Sequence, residues 1–507
     1  MGRCLAIATF AVFVCSGDAG AQQPASALDS YRQARRVFDR ALVAHGGLER
    51  LRAIGVVDVR HEGTGYARNQ SLSARAPWTT TPTRGRLILD TRAGRIFLEN
   101  ETQFPGMFRN QTQFVTNGRE AWQVNWVERR WFTVPNAALT ARRGLYRRLP
   151  HQVLLLAADR PEALRWVGLR SEGGRRYHLI TYASDDNGQQ ITLLIDVATH
   201  LLAGFETVYD DAMTGDAISQ VLFADYAPVN GVQFPGRRIF KPAGEVGEEV
   251  RYTDVSLDGE VPDSLWVRPE GLVDGNGGPA ADTTLLKLAD DVYVVQGVAG
   301  GNSSLVVVFD DFVLVGEAYG NEAASQRTLS LLRTLAPGKP VRYLVPTHYH
   351  DDHTGGVRAF IAEGSTIVTT PGNREYFERM AKAVKTLQPD ALTKKPVPIK
   401  LETFTGRRVI EDARHRVEVI DIGPSPHANE MLVLYLPKEQ VLFQGDLLNR
   451  TPDGRDRPGN QTAAHFLKWL DTSGLAVQRI VPVHGPAHGV AEVRRAVQMW
   501  EQMSGER

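Results

Sequence analysis

Two regimes of hydrophobic patterning divide this chain of 507 residues. In the first, residues 31–45 place apolar side chains at helical spacing and Gly46-Gly47 stops the run. Short β-prone segments then recur at 85–90, 95–100, 112–116, 177–183, 190–196, 201–209, 218–226 and 237–240. An antiparallel sheet curling around a helix is the simplest architecture for that series. In the second regime, 292–295, 304–309 and 312–315 read as successive strands, with Asp310-Asp311 at a turn. Residues 321–335 follow as a helix, carrying Leu329, Leu331, Leu332 and Leu335. Further strands are predicted at 341–345 and 416–421. Between the regimes, 269–282 has the Pro- and Gly-rich composition of a linker. The expected organisation is α+β, with a β-rich region at 22–268 and a second domain at 283–507.

The first residues predict export. Arg3 gives a basic start, 4–14 an apolar core, and Ala19-Gly20-Ala21 a small-residue cleavage site before Gln22, so 1–21 reads as a signal peptide. A membrane anchor is the alternative, but this core is shorter than the roughly 20 residues that span a bilayer. Lipidation at Cys15 is a second alternative, opposed by the bulk of Val14. A periplasmic or secreted location follows. The two cysteines, Cys4 and Cys15, both fall in the leader, so the mature chain would hold neither sulfur ligand nor disulfide.

Lys plus Arg equals Asp plus Glu at 58 each, and loss of Arg3 and Asp18 with the leader keeps the balance at zero. No nucleic-acid partner is implied. Outside the leader no apolar run is long enough to be a transmembrane anchor.

The chemistry concentrates in His348-Tyr349-His350-Asp351-Asp352-His353, after the strand 341–345 and before an amphipathic stretch at 357–362. In an extended loop, side chains two apart share a side, so His348 and His350 can grip one ion while Asp352 and His353 point elsewhere. One loop can thus serve two metals. The competing reading is a surface loop rich in His and Asp by chance, which thirteen histidines in the whole chain make rare.

The motif resembles the hallmark of the metallo-β-lactamase superfamily, His-x-His-x-Asp-His. The similarity runs from about Thr283 to the C-terminus and implies an αββα sandwich with a dinuclear site for two Zn2+. Gly423-Pro424-Ser425-Pro426-His427 resembles the third motif, with His427 completing the first metal's set. Gly445-Asp446 resembles the end of the family's hairpin, and Asp446 would bridge both ions; a turn or helix-cap role is its alternative. Pro482-Val483-His484-Gly485 resembles the last ligand strand, so His484 would join Asp352 and His353 on the second metal. His488 is a rival ligand four residues on, and His465 reads as a packing or supporting residue. In this resemblance Glu317, after 312–315, stands for the acidic residue that steadies a ligand loop from behind. Without cysteine the site would be of the His/Asp type.

The resemblance implies a hydrolase in which metal-bound hydroxide attacks a small carbonyl substrate: an ester, lactone, thioester or amide, β-lactams included. Asp352 would also accept a proton from the nucleophile. Two other classes compete. One is a carrier of a lipid-like ligand, because 44–51 and 223–235 resemble periplasmic lipoprotein-carrier half-barrels. An apolar ligand could then sit in the N-terminal domain; Trp122, Trp126, Trp131 and Trp166 could line its groove, although core packing is their preferred role. The other is a di-iron redox protein, but those usually carry Glu where His350 stands. The Lys-rich, Pro-punctuated 378–400 reads as an insertion near the cleft or a solvated excursion.

Overall fold

The computed structural model describes residues 26–135, 148–184, 189–276, 283–298, 302–451 and 454–505. The proposed leader 1–21 and the second half of the linker, 277–282, lie outside the described residues. The fold is mixed α and β, built on sheets of 14, seven and five strands.

The 14-stranded sheet belongs to the N-terminal region. It is two antiparallel meanders joined where Val56–Tyr66 pairs with Glu248–Leu257, and at one edge Val273–Asp274 pairs in parallel with Arg130–Thr133. The first half of the expected linker therefore lies along this sheet. The helix Ala27–Ala44 starts four residues earlier than predicted because Ser26 caps it, its side chain accepting from the Asp29 amide. It buries Ala34, Val37, Phe38 and Ala41 in a core shared with Val57, Leu193, Ile195 and Leu202. Strands at Val56–Tyr66, Arg165–Glu172 and Glu248–Leu257 were not predicted. In the first of them Val57, Val59 and His61 alternate as buried positions, and the register shift opposite Arg60/His61 is taken up by an extra residue, Thr253, in Glu248–Leu257. Trp122 and Trp166 are buried and Trp126 and Trp131 pack on apolar neighbours, so all four serve the core, not an open groove.

The C-terminal region stacks the other two sheets face to face. Leu305, Val307, Leu314 and Val345 of one meet Val417, Val419, Leu434, Phe443 and Val481 of the other in one apolar layer. Fully burying such a side chain is worth roughly 1.5–3 kcal/mol, so the layer fixes the strand ends firmly. Helices cover both outer faces. Glu322–Leu335 and Val357–Ala362 lie on the seven-stranded side, Gln461–Ser473 and Val490–Gly505 on the other. This is the four-layer αββα arrangement.

The segment 378–400 is largely exposed beyond 381, as a solvated excursion would be, but it also touches the N-terminal sheet. Val384 bridges to Gly215, Lys385 Nζ lies 2.5 Å from Asp210 Oδ1, and the Thr386 amide donates to Asp216. Arg358 and Asp390 form a buried ion pair beneath it. Its lysine and polar groups hold the turn between Leu202–Asp211 and Gly215–Val229 of the N-terminal sheet. A solvated excursion thus also serves as a joint between the two regions.

Candidate metal centre

Each candidate ligand stands at the C-terminal end of a sandwich strand, where a loop can aim it at the gap between the sheets. His348 and His350 follow Val341–Val345, and Asp352 and His353 open the short helix Asp351–Thr354. His427 follows Arg416–Asp421, Asp446 follows Val441–Gln444, and His484 follows Arg479–Pro482. Gly445 permits the approach of Asp446: a Cβ there would lie 2.3 Å from Thr347 Oγ1 and 3.2 Å from His348 Nδ1.

The seven residues form two groups. His348, His350, His427 and Asp446 bring one ligand atom each to within 4.8 Å of one another, and so do Asp352, His353, His484 and Asp446. His348 Nε2 lies 3.0 Å from His350 Nδ1 and 3.2 Å from His427 Nε2. Those separations match the edge of roughly 3.3 Å that follows from tetrahedral zinc–nitrogen bonds of about 2.0–2.1 Å. Asp446 divides its carboxylate: Oδ2 is 3.3 Å from His427 Nε2, whereas Oδ1 is 3.3 Å from His353 Nε2 and 3.0 Å from His484 Nε2. Asp352 Oδ2 is 3.5 Å from the Nε2 atoms of both His353 and His484.

Burial separates the groups. The first is wholly buried; in the second, Asp352 and His484 retain 31% and 22% side-chain exposure, so solvent reaches the centre from that side. The Tyr319 ring flanks this side, 5.6 Å from the His484 imidazole.

The donor set fits a divalent cation. His353 Nε2 and Asp446 Oδ1 are buried without a hydrogen bond of good geometry, a costly arrangement for a centre meant to stay empty. Burial, then the neighbouring imidazoles, hold His348 well below its ordinary value, and burial takes His350 down to about 3. Both are thus neutral, as ligands must be. For His484 burial works the other way from its surroundings, and Asp446 and Asp352 prevail, lifting it to about 9. His353 is raised by Asp352 and Asp446 against the same burial. The carboxylates demand positive charge, and in the metal-free chain protons supply it.

Outer contacts orient the rings. His484 Nδ1 donates to Asn302 Oδ1 at 2.6 Å, and His348 Nδ1 meets Thr347 Oγ1 at 3.1 Å. Glu317 is buried, accepts from the Thr347 amide at 3.1 Å, and lies 3.3 Å from His353 Nδ1. Its φ of 77° is a strained position for a side chain of that kind. His488 pairs by backbone with Ile480, and neither it nor His465 joins either group. Sequence reasoning missed Asn302 and the N-terminal residues Asn69, Gln70 and Ser71. The first could have been sought as a polar residue on the strand beside His484; the others left no such signal.

A family model described as Metallo-beta-lactamase superfamily matches residues 297–490. An alkyl/aryl-sulfatase of Saccharomyces cerevisiae, BDS1, is 34% identical over 79 residues, which are 16% of this chain and 12% of that relative. The match therefore spans about an eighth of the relative's length. Among solved structures, a metallo-β-lactamase from Pontibacter korlensis is 20% identical, covering 43% of this chain and 98% of its own at a TM-score of 0.32. The metallo-β-lactamase FIM-1 from Pseudomonas aeruginosa, in its mono-zinc form, is 19% identical, covering 44% and 96% at a TM-score of 0.31. Strand-end ligands, the four-layer sandwich and the matched segment agree: the C-terminal part of this chain is a metallo-β-lactamase superfamily domain.

Proposed function

We propose that the chain is a dinuclear zinc hydrolase of a small carbonyl substrate, an ester, lactone, thioester or amide, with β-lactams among the candidates. The observation that carries this reading is the shared Asp446, whose two oxygens face two different ligand groups. Zinc held there would supply Lewis acidity and a coordinated water with a pKa lowered to about 7. The protein's residues do the rest. Within the first group Asp446 is the one carboxylate, so a cation held there would keep net positive charge to favour a developing oxyanion. Asp352, the most exposed member of the second group, is placed to accept a proton from the nucleophile. Tyr319 walls the open side and remains protonated: burial, then Asp352 and Asp446, push its phenol above the ordinary range.

Sulfate-ester hydrolysis is a second reading, favoured by the stretch similar to the yeast alkyl/aryl-sulfatase. The test is a panel of esters, lactones, thioesters, β-lactams and alkyl and aryl sulfates, assayed before and after chelation. Turnover of one class that disappears on chelation and returns with zinc is expected; full activity in stripped protein contradicts the proposal. With this function go export through the leader 1–21, a division at 269–282, and a half-barrel form for the N-terminal sheet, beside which Ala27–Ala44 runs.

A further inference from the structure

We infer that the metal centre is completed by the N-terminal region, through the connection 67–79, and that Gln70 is a positioning residue for Asp352. The inference rests on the metal-site reading above. Thirteen residues join Val56–Tyr66 to Thr80–Asp90, where a hairpin of this kind needs only two to five. The excess is closed on itself at the neck, where Thr79 N donates to Ser71 Oγ at 2.8 Å and Leu72 N to Thr79 Oγ1 at 3.1 Å. Its far end is fastened to the other region: Ala74 is buried in the C-terminal core and its carbonyl accepts from Arg379 at 3.0 Å.

At the neck and in the two residues that lead into it, this connection meets the ligand loop. The Ser71 carbonyl takes the Tyr349 hydroxyl at 2.7 Å and His350 Nε2 at 2.9 Å. Asn69 Nδ2 donates to Asp351 Oδ2 at 2.9 Å. Gln70 Nε2 reaches Asp351 Oδ1 at 3.1 Å and Asp352 Oδ1 at 2.9 Å. Asp352 therefore has one oxygen for the second cation and one for Gln70, and rotation of the carboxylate about its bond is checked by a group from the other region. Gly106, also N-terminal, packs against the loop of His427, where a Cβ would come within 3.5 Å of the His427 Cα. Such outer partners are typically worth about 10–100-fold in metal affinity.

The experiment titrates the metal-free full chain with zinc against a chromogenic chelator and follows cobalt absorption and thermal unfolding in parallel. Wild type should take up two equivalents; if it takes up none or one, the dinuclear reading itself fails. Gln70→Met, similar in size but without donors, should bind the first equivalent normally and the second roughly 10–100-fold more weakly, with altered cobalt bands for the second equivalent only. If that variant does not fold, Gln70→Ala is read the same way. Asn69→Ala, which touches Asp351 alone, should leave both equivalents near wild type. A Gln70 variant that folds and binds both equivalents like wild type overturns the inference. So does an Asn69→Ala effect as large as that of Gln70→Met, since loosened docking would then explain both.

Discussion

The carbonyl oxygen of Ser71 lies 2.9 Å from Nε2 of His350, 279 positions away along the chain. A proton on Nε2 satisfies that carbonyl and leaves the Nδ1 lone pair on the side of His348 Nε2, 3.0 Å away. The tautomer of a candidate ligand is thus set by a backbone atom of the other region.

Deleting ligands should separate the two groups. His484→Ala removes a member of the half-open group only, so one zinc equivalent should remain. His350→Ala opens the buried group and should abolish ordered binding of the first. Both should lose at least about 100-fold in kcat/KM, or about 2.7 kcal/mol of transition-state stabilisation. Metal analysis beside kinetics checks this, and equal metal loss in both variants would contradict the division.

Glu317 should matter for stability as well as for the site. Glu317→Ala strips the buried Thr347 amide of its acceptor, an expected loss of about 1–3 kcal/mol. Glu317→Gln keeps an acceptor and should lose less. Urea unfolding of the metal-free proteins measures the difference.

Acid should weaken the anchor of the 67–79 connection. Arg68 and Asp211 are both buried and paired at 2.8 Å. Burial raises the Asp211 carboxyl, but the hydrogen bonds and charge of Arg68 outweigh it and hold the group down at about 2, against an ordinary 3.8. A lowered folded value means the stabilisation is whole above pH 3.8 and fades as pH falls toward 2. The gap in unfolding free energy between wild type and Asp211→Asn should accordingly shrink from pH 5 to about pH 2, by on the order of 2 kcal/mol. A gap independent of pH would show that the pair contributes nothing through its charge.

Gly445→Ala should weaken zinc binding although no ligand is altered. The added Cβ would sit 2.3 Å from Thr347 Oγ1, forcing either the His348 loop or Asp446 to move. Reduced affinity for both equivalents is expected because Asp446 serves both groups. Chelator competition reads it.

Much of this centre was legible in the sequence because metal ligation needs particular side chains, and the four-layer fold delivers them from strand ends that hydrophobic runs reveal. His348, His350, Asp352, His353, His427, Asp446 and His484 all stand in such places. The contribution of 69–71 was not legible. Asn-Gln-Ser reads as an ordinary polar loop, and a carbonyl that orients an imidazole has no side-chain signature. The contacts of 384–387 were illegible for a related reason: nothing in Lys385 and Thr386 signals Asp210 and Asp216, far away in sequence. Strands such as Val56–Tyr66 were hidden by their polar second half, where His61 takes a buried position and Arg60, Glu62, Gly63 and Thr64 give no apolar alternation.

Anomalous diffraction from crystals of the zinc-loaded chain tests the central claim most directly. Two zinc peaks on either side of the Asp446 carboxylate, about 3.5–4 Å apart, are predicted. A single peak, or peaks away from the seven residues, would contradict it.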